Sequence, residues 1–214
     1  YMGSSSFNPF MSKWVKKNYP DVKSDLFSSF IVRIMDFAGE HGEVGMMTPF
    51  VWMFIGSYEK LRSRLIDDKT LTTLIQLEYS GFAGATVPIC TFTYHNSHID
   101  DYKGGYVRLA DFTGPAVQAP KALEAIHNPN CGWFYRRDAD TFKKIPGTPI
   151  AYWVGDSFLL YCGLDSRLSD FADVQEGLKT SDNDRFIRHW YEVPYQKTNL
   201  QSSSINAKWV KHSK

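Results

Sequence analysis

The chain has 214 residues, of which 43% are apolar and 15% aromatic, and a formal net charge of +1. This length suits one domain with a sizeable core and part of a second, and the near-zero charge excludes a bulk electrostatic attraction to nucleic acid, so any basic surface is local. Cys90, Cys131 and Cys162 are far apart with no CxxC pair, which argues against a disulfide framework or zinc ribbon and for reduced thiols in a cytosolic protein; no apolar run reaches membrane-spanning length, and no signal peptide opens the chain.

In chain order, Tyr1–Phe10 is rich in Ser and Gly and reads as a loop. Met11–Lys17 suits a short helix with Lys13, Lys16 and Lys17 exposed, broken at Tyr19-Pro20. Ser24 is expected to cap the next helix, with Asp25 at the positive end of its dipole. Leu26, Phe27, Phe30, Ile31, Ile34, Met35 and Ala38 form its apolar stripe, and Gly39 and Gly42 stop it. Val44–Met47 is apolar on both faces, the pattern of a strand covered on both sides in a parallel sheet. Pro49 is expected to end that strand, and Thr48-Pro49 opens a loop at its carboxyl end, where α/β sheets bind ligands. A helix over Ser57–Ile66 turns Tyr58, Leu61 and Leu65 inward, and Thr70–Leu77 reads as an alternating strand. A loop at Gly81–Gly84 leads to a strand over Val87–Tyr94, a polar turn over Asn96–Lys103 and an edge strand over Gly105–Leu109. The late strands are close enough to pair antiparallel, so Ser24–Leu109 begins as α/β and ends in strands.

Gly114–Pro120 shifts composition and marks a candidate boundary before a short helix over Lys121–His127. Trp133–Lys144 mixes aromatics with Arg136, Arg137, Lys143 and Lys144. It fits either a segment along a phosphate backbone or a helix or hairpin with core aromatics and solvated charges. Ile150–Leu160 is aromatic-rich without a clear period, and Leu168–Gly177 reads as a short element leading into a strand. Gly177–Phe186 is a polar loop whose Lys179, Thr180, Asn183 and Arg185 can contact bases or phosphates, or simply a tight turn. Ile187–Val193 alternates like a strand, and Gln201–Asn206 reads as a linker.

Two local motifs carry little chemistry. His95-Asn-Ser-His98 with Asp100 and Asp101 matches no zinc spacing and reads as a solvated turn. Gly155-Asp-Ser157 resembles the GDS box of a serine hydrolase family, but the chain has no DxxH to supply a base, and a serine without a positioned histidine is a poor nucleophile.

Taken together, the opening Tyr-Met-Gly, DLFSSFIVRIMDFAGEHGEVGMMTP, GFAGATVPICTFTY and GLKTSDNDRFIRHWYEV closely resemble adenine-specific DNA methyltransferases of the gamma type. Within that family the pattern looks most like the large methyltransferases of BREX phage-defence systems (PglX-like) and the fused restriction-methylation enzymes. The resemblance implies an α/β fold, the carboxyl half of a Rossmann-like S-adenosylmethionine-dependent methyltransferase sheet, followed by a mixed α+β segment that starts a target-recognition domain. The expected divisions are 1–112 for the catalytic half, 113–167 for a connecting segment and 168–214 for the start of the recognition domain.

The family's catalytic motif is Asn-Pro-Pro-Tyr, of which this chain holds only Tyr1. The resemblance implies that Tyr1 stacks on a flipped adenine, that Phe82 is a second aromatic against that base, and that Thr48 and Pro49 wall the site. It assigns Lys179, Thr180, Asn183 and Arg185 to DNA, with Ser181 standing where relatives tend to have Gly. The cofactor, S-adenosylmethionine, would bind mostly outside this chain, and no metal is needed. The chain then reads as an inactive piece of a longer bacterial, cytoplasmic enzyme of restriction-modification or phage exclusion. Its expected partners are double-stranded DNA, other phage-defence proteins and further copies of the fragment, with no membrane. A non-catalytic DNA-binding or protein-interaction module is the alternative.

Overall fold

The computed structural model describes residues 2–81, 87–163, 170–173, 182–199 and 208–210. The chain divides into two compact units, Tyr1–Leu164 and Asp165–Lys214. In the first, α1 (Pro9–Asn18) is capped by Asn8, whose side chain accepts from Met11 N, with Pro9 in the first turn where its missing N–H costs nothing. α2 (Leu26–Phe37) is capped one residue later than expected: Asp25, not Ser24, is extended and accepts from Phe27 N. α3 (Glu59–Asp67) buries Leu61, Leu65 and Ile66, and Tyr58 just ahead of it is buried too.

Five strands make one mixed sheet in the order β1 (Glu43–Pro49), β3 (Ile89–His95), β2 (Thr70–Gln76), β4 (Lys103–Arg108), β5 (Phe134–Asp138). β3 runs antiparallel to both β1 and β2, so those two are parallel to each other, and β4 is parallel to β2. β5 closes the far edge antiparallel to β4. One face carries the main core: Phe27, Ile31 and Met35 of α2 and Leu61, Leu65 and Ile66 of α3 pack with Leu74, Phe92, Tyr94 and Tyr106 of the sheet. On the other face Val107, Leu109 and Ala125 of α4 (Pro115–His127) make a smaller cluster with Phe112, Trp133 and Phe134.

Several sequence expectations change. β1 is not covered on both sides; among the described residues it is an edge strand paired with β3 alone, with Gly45 exposed and Met47 about half exposed. Its antiparallel neighbour lets one side face solvent, which parallel packing would not. Pairing continues through Thr48 and Pro49, opposite Cys90 and Ile89, because a proline is tolerated on an edge strand. The strand read as an edge at Gly105–Leu109 is interior, between β2 and β5, and parallel to β2. Residues Pro115–Pro120 are the opening turns of α4, started by Gly114 at φ 95 and Pro115 in the first turn.

β5 and a 3-10 stretch over Ala139–Lys144 replace the ambiguous aromatic–basic segment, and α5 (Asp156–Cys162) follows. In the second unit, α6 (Asn183–Phe186) is a single turn capped by Asp182. Ile187–Val193 is not a strand: Trp190–Glu192 is a 3-10 turn in which Glu192 reaches back to the His189 N–H. β6 (Thr198–Asn199) and β7 (Trp209–Val210) pair in parallel. Gln201–Asn206 and most of Leu168–Gly177 lie outside the described residues.

Candidate functional site

β1, β2 and β4 end on one edge of the sheet, at Pro49, Gln76 and Arg108. Loops leaving parallel strands at their carboxyl ends form the ligand side of α/β sheets. Just below that edge, Thr48 is opposite Cys90, Cys90 opposite Gln76, and Gln76 opposite Arg108.

The side chains of this row are mostly spent on holding the edge together. Thr48 is buried; its Oγ1 accepts from Trp52 Nε1 at 3.1 Å and donates to Pro49 O at 3.2 Å. Tyr152 donates to Gln76 Oε1 at 2.8 Å. Burial pushes the Cys90 thiol up to about 12, against the opposing hydrogen bonds of Thr48 and Trp52. Burial also raises the Tyr152 phenol, with Arg108 pulling the other way. Both groups stay neutral, so the row offers no nucleophilic thiolate or phenolate near neutral pH.

Gln118 of α4 ties two loops at the same edge. Its Oε1 accepts from Glu78 N at 3.1 Å, and its Nε2 donates to Phe112 O at 2.5 Å and Gly114 O at 3.2 Å. Gly81 fits against this clamp: a Cβ there would lie 2.9 Å from Glu78 O and 3.0 Å from Gln118 Oε1, so a side chain would force the loop away. Phe82 follows directly and lies outside the described residues, as do Tyr1, Lys179, Thr180 and Ser181.

Met2, next to Tyr1, is described. Its carbonyl accepts from Leu26 N at 2.9 Å, and it shares a cleft of about 420 Å³ with Phe27, Phe30, Met46, Met47 and Thr48. The structure therefore brings Thr48 and the residue after Tyr1 to one cleft, and the stem of the Phe82 loop to the same sheet edge. Asn183 and Arg185 share the single turn of α6, with the Arg185 guanidinium 5.1 Å from the Phe186 ring centre.

The remaining motifs resolve into structural roles. Arg137 donates to Tyr152 O and Val154 O at 3.3 and 2.7 Å and pairs with Asp156 at 2.5 Å; Lys143 pairs with Asp67 and Asp140. Arg136 donates to Lys103 O and covers the Phe134 ring. These contacts favour the packed reading of Trp133–Lys144 over a phosphate track. In the turn after β3, Asn96 is buried and its amide donates to Met35 O, Ala38 O and Gly39 O at 3.0–3.1 Å, capping the end of α2. His98 bonds Ile66 O and stands near Asp100 and Asp140. Among the described residues no group of three or more His, Cys, Asp or Glu could hold a metal ion, and no helix is long and apolar enough to cross a membrane.

Sequence reasoning missed Gln118, Tyr152, Arg108 and Trp153. A polar Gln among the alanines of α4 was the one local signal; the others act through contacts distant in sequence.

Residues 1–82 match the family model of the Eco57I restriction-modification methylase. The chain is 34% identical over 208 residues, 95% of its length, to the adenine-specific methyltransferase PglX of Lacticaseibacillus casei (strain Zhang). It is 33% identical over 217 residues, 98% of its length, to the adenine-specific methyltransferase BrxX of Escherichia coli O9:H4 (strain HS). The chain spans 17% of the length of each of these relatives. Among solved structures, the modification subunit of a candidate type I restriction enzyme from Vibrio vulnificus YJ016 overlaps 57% of this chain and 29% of its own, at 14% identity and a TM-score of 0.47.

Proposed function

We propose that this chain is a segment of an adenine-specific DNA methyltransferase of the restriction-modification and phage-defence kind, and that it supplies the carboxyl half of the catalytic sheet. The observation that carries this reading is similarity over nearly the whole chain to two adenine-specific methyltransferases. The complete protein then transfers a methyl group from S-adenosylmethionine to adenine N6 in double-stranded DNA.

Within that protein Tyr1 stacks on the flipped adenine, Phe82 presents a second aromatic, and Thr48-Pro49 forms part of the wall. Two placements support the arrangement: Met2 shares a cleft with Thr48, and Gly81 is held at the same carboxyl edge through Gln118. Stacking of a base on one aromatic contributes about 1–3 kcal/mol, enough to offset much of the few kcal/mol needed to extrude a base. Lys179, Thr180, Asn183 and Arg185 contact DNA from the recognition segment, 168–214.

The described residues do not by themselves fit the cofactor. A nucleoside with a carboxylate is usually received by a Gly-rich turn that opens a helix after a strand. Here β1 is followed by the aromatic turn Phe50–Met53, β2 by Leu77 and β4 by Leu109. This segment supplies walls and positioning, and the cofactor contacts belong to the rest of the protein.

The test is methyl transfer by the complete protein to duplex DNA, with label supplied on S-adenosylmethionine. Label recovered as N6-methyladenine is expected; label on cytosine, or no transfer, overturns the reading. The isolated chain is expected to give no binding heat with S-adenosylmethionine, and micromolar affinity would place the cofactor contacts back within these residues.

A further inference from the structure

A row of aromatic side chains leaves the candidate site along the carboxyl edge of the sheet and ends on a cation. Phe50 follows Pro49 directly, and its N–H donates to Pro88 O at 2.8 Å. From Phe50 the ring centres step 6.0 Å to Phe54, and 5.7 Å from Phe54 to Trp153. The Arg108 guanidinium stands 5.5 Å from the Trp153 ring centre. Phe50, Phe54, Trp153 and Arg108 are all half-buried, while the adjoining Trp52, Met53 and Tyr152 are fully buried. The core beneath is closed by the second set, and the first set forms its outer rim.

Among the described residues, Trp153 and Asp111 hold Arg108 there. The Trp153 face takes one side of the guanidinium, and Nη1 pairs with Asp111, a carboxylate that is 70% exposed. An ion pair with so exposed a partner is weak. A phosphate oxygen can replace Asp111, because the released carboxylate is already hydrated and a guanidinium binds phosphate through two parallel N–H donors. Aromatic faces in series with an arginine at their end are the chemistry of a nucleic-acid strand track: rings meet bases or sugars, and the cation meets the backbone.

We infer that Phe54, Trp153 and Arg108 bind the DNA strand next to the target adenine, Trp153 against a base or sugar and Arg108 on a phosphate. The place of this contact in the reaction rests on the methyltransferase reading; the nucleic-acid contact itself rests on the row's geometry. The two are separable by experiment.

The experiment measures duplex DNA binding by the complete protein through fluorescence anisotropy across a salt series, beside methyl transfer. Arg108→Ala is expected to reduce the slope of log affinity against log salt by about 0.9, the share of one phosphate contact, and Arg108→Lys to keep it. Trp153→Ala is expected to weaken binding about tenfold and to raise the KM for DNA more than it lowers kcat, with Trp153→Phe recovering most of the loss. An unchanged salt slope in Arg108→Ala, or unchanged affinity in folded Trp153→Ala, overturns the inference. If Trp153→Ala does not fold, the Arg108→Ala slope decides alone, because the carboxylate paired with Arg108, Asp111, is solvent-exposed. Variant effects on binding in a protein that transfers no methyl to adenine would leave the strand contact standing and remove the methyltransferase reading.

Discussion

The hydroxyl of Thr48 can serve a ligand or the fold, and the structure uses it for the fold. It is the acceptor for the buried Trp52 indole, and an indole N–H left without one costs about 1–3 kcal/mol. Thr48→Val, nearly the same shape, is therefore expected to lower stability by that amount in urea unfolding, while Thr48→Ser keeps most of it. On the methyltransferase reading, Val keeps the wall that Thr48 forms, so methylation by Thr48→Val in the complete protein should fall only as far as the folded fraction falls; a larger loss in fully folded enzyme would give the Thr48 hydroxyl a contact with substrate. Arg62 makes the same point with a charge. It is 1% exposed, and its guanidinium donates to Trp52 O, Ile55 O, Gly147 O and Thr148 O at 2.6–3.2 Å. Burial lowers its pKa, opposed by Glu59. Nothing in the spacing of α3 marks Arg62 as different from the exposed Arg64, because its carbonyl partners come from the turn after β1 and from a loop 85 residues away.

At the scale of elements, β1 decides how the segment behaves alone. Among the described residues it is an edge strand of the sheet, and Met47, Phe30 and Met2 are exposed around the cleft beside it. Free strand edges with apolar neighbours pair with other chains. The isolated chain is therefore expected to self-associate, and Met47→Lys to shift it toward monomer in sedimentation velocity; identical distributions would move the association elsewhere. β2 shows why strand pattern is incomplete information. Its pairing with β3 shifts register between Leu71 and Thr73, and Thr72 and Thr73 both bond Thr93 Oγ1, at 2.7 and 2.6 Å. The extra residue lets Leu71, Leu74 and Gln76 all turn inward, whereas strict alternation would put Leu71 and Leu74 on opposite faces. The short helix expected at Lys121 begins six residues earlier for a related reason: Gly114 and Pro115 look like punctuation in a list of residues, but they are the start signals of α4.

At the scale of the whole molecule, the core holds several acidic protons away from water. Burial pushes the Cys90 thiol and the Tyr94 phenol up to about 12 and raises Tyr106 and Tyr152 as well. In the unfolded chain thiols ionise near 8.5 and phenols near 10. The folded state keeps these groups neutral after the unfolded state has begun to lose protons, so their contribution to stability is complete below about pH 8.5 and declines as pH rises toward 12. The urea midpoint should be flat to about pH 8.5 and fall steadily by pH 11. A midpoint constant to pH 11 would mean that water reaches these side chains in the folded state.

The sequence alone determined the helices and most strands, because apolar spacing, caps and prolines act over a few residues. It also carried the family resemblance, through segments such as DLFSSFIVRIMDFAGEHGEVGMMTP whose residue order needs no coordinates. It could not order the strands. β3 lies between β1 and β2 although it follows both, and β4 lies inside the sheet although its pattern suits an edge. Strand neighbours are chosen by which faces can be buried together, and that depends on the whole chain. The same holds for the carboxyl edge. Thr48 and Pro49 were legible there as a strand end, but Gln118 clamping the loop stem, Tyr152 on Gln76, and Arg108 against Trp153 are contacts across 40 to 76 residues. Only tertiary packing brings such groups within hydrogen-bond or ring contact, since each side chain's partner is set by the fold and not by its neighbours in the chain.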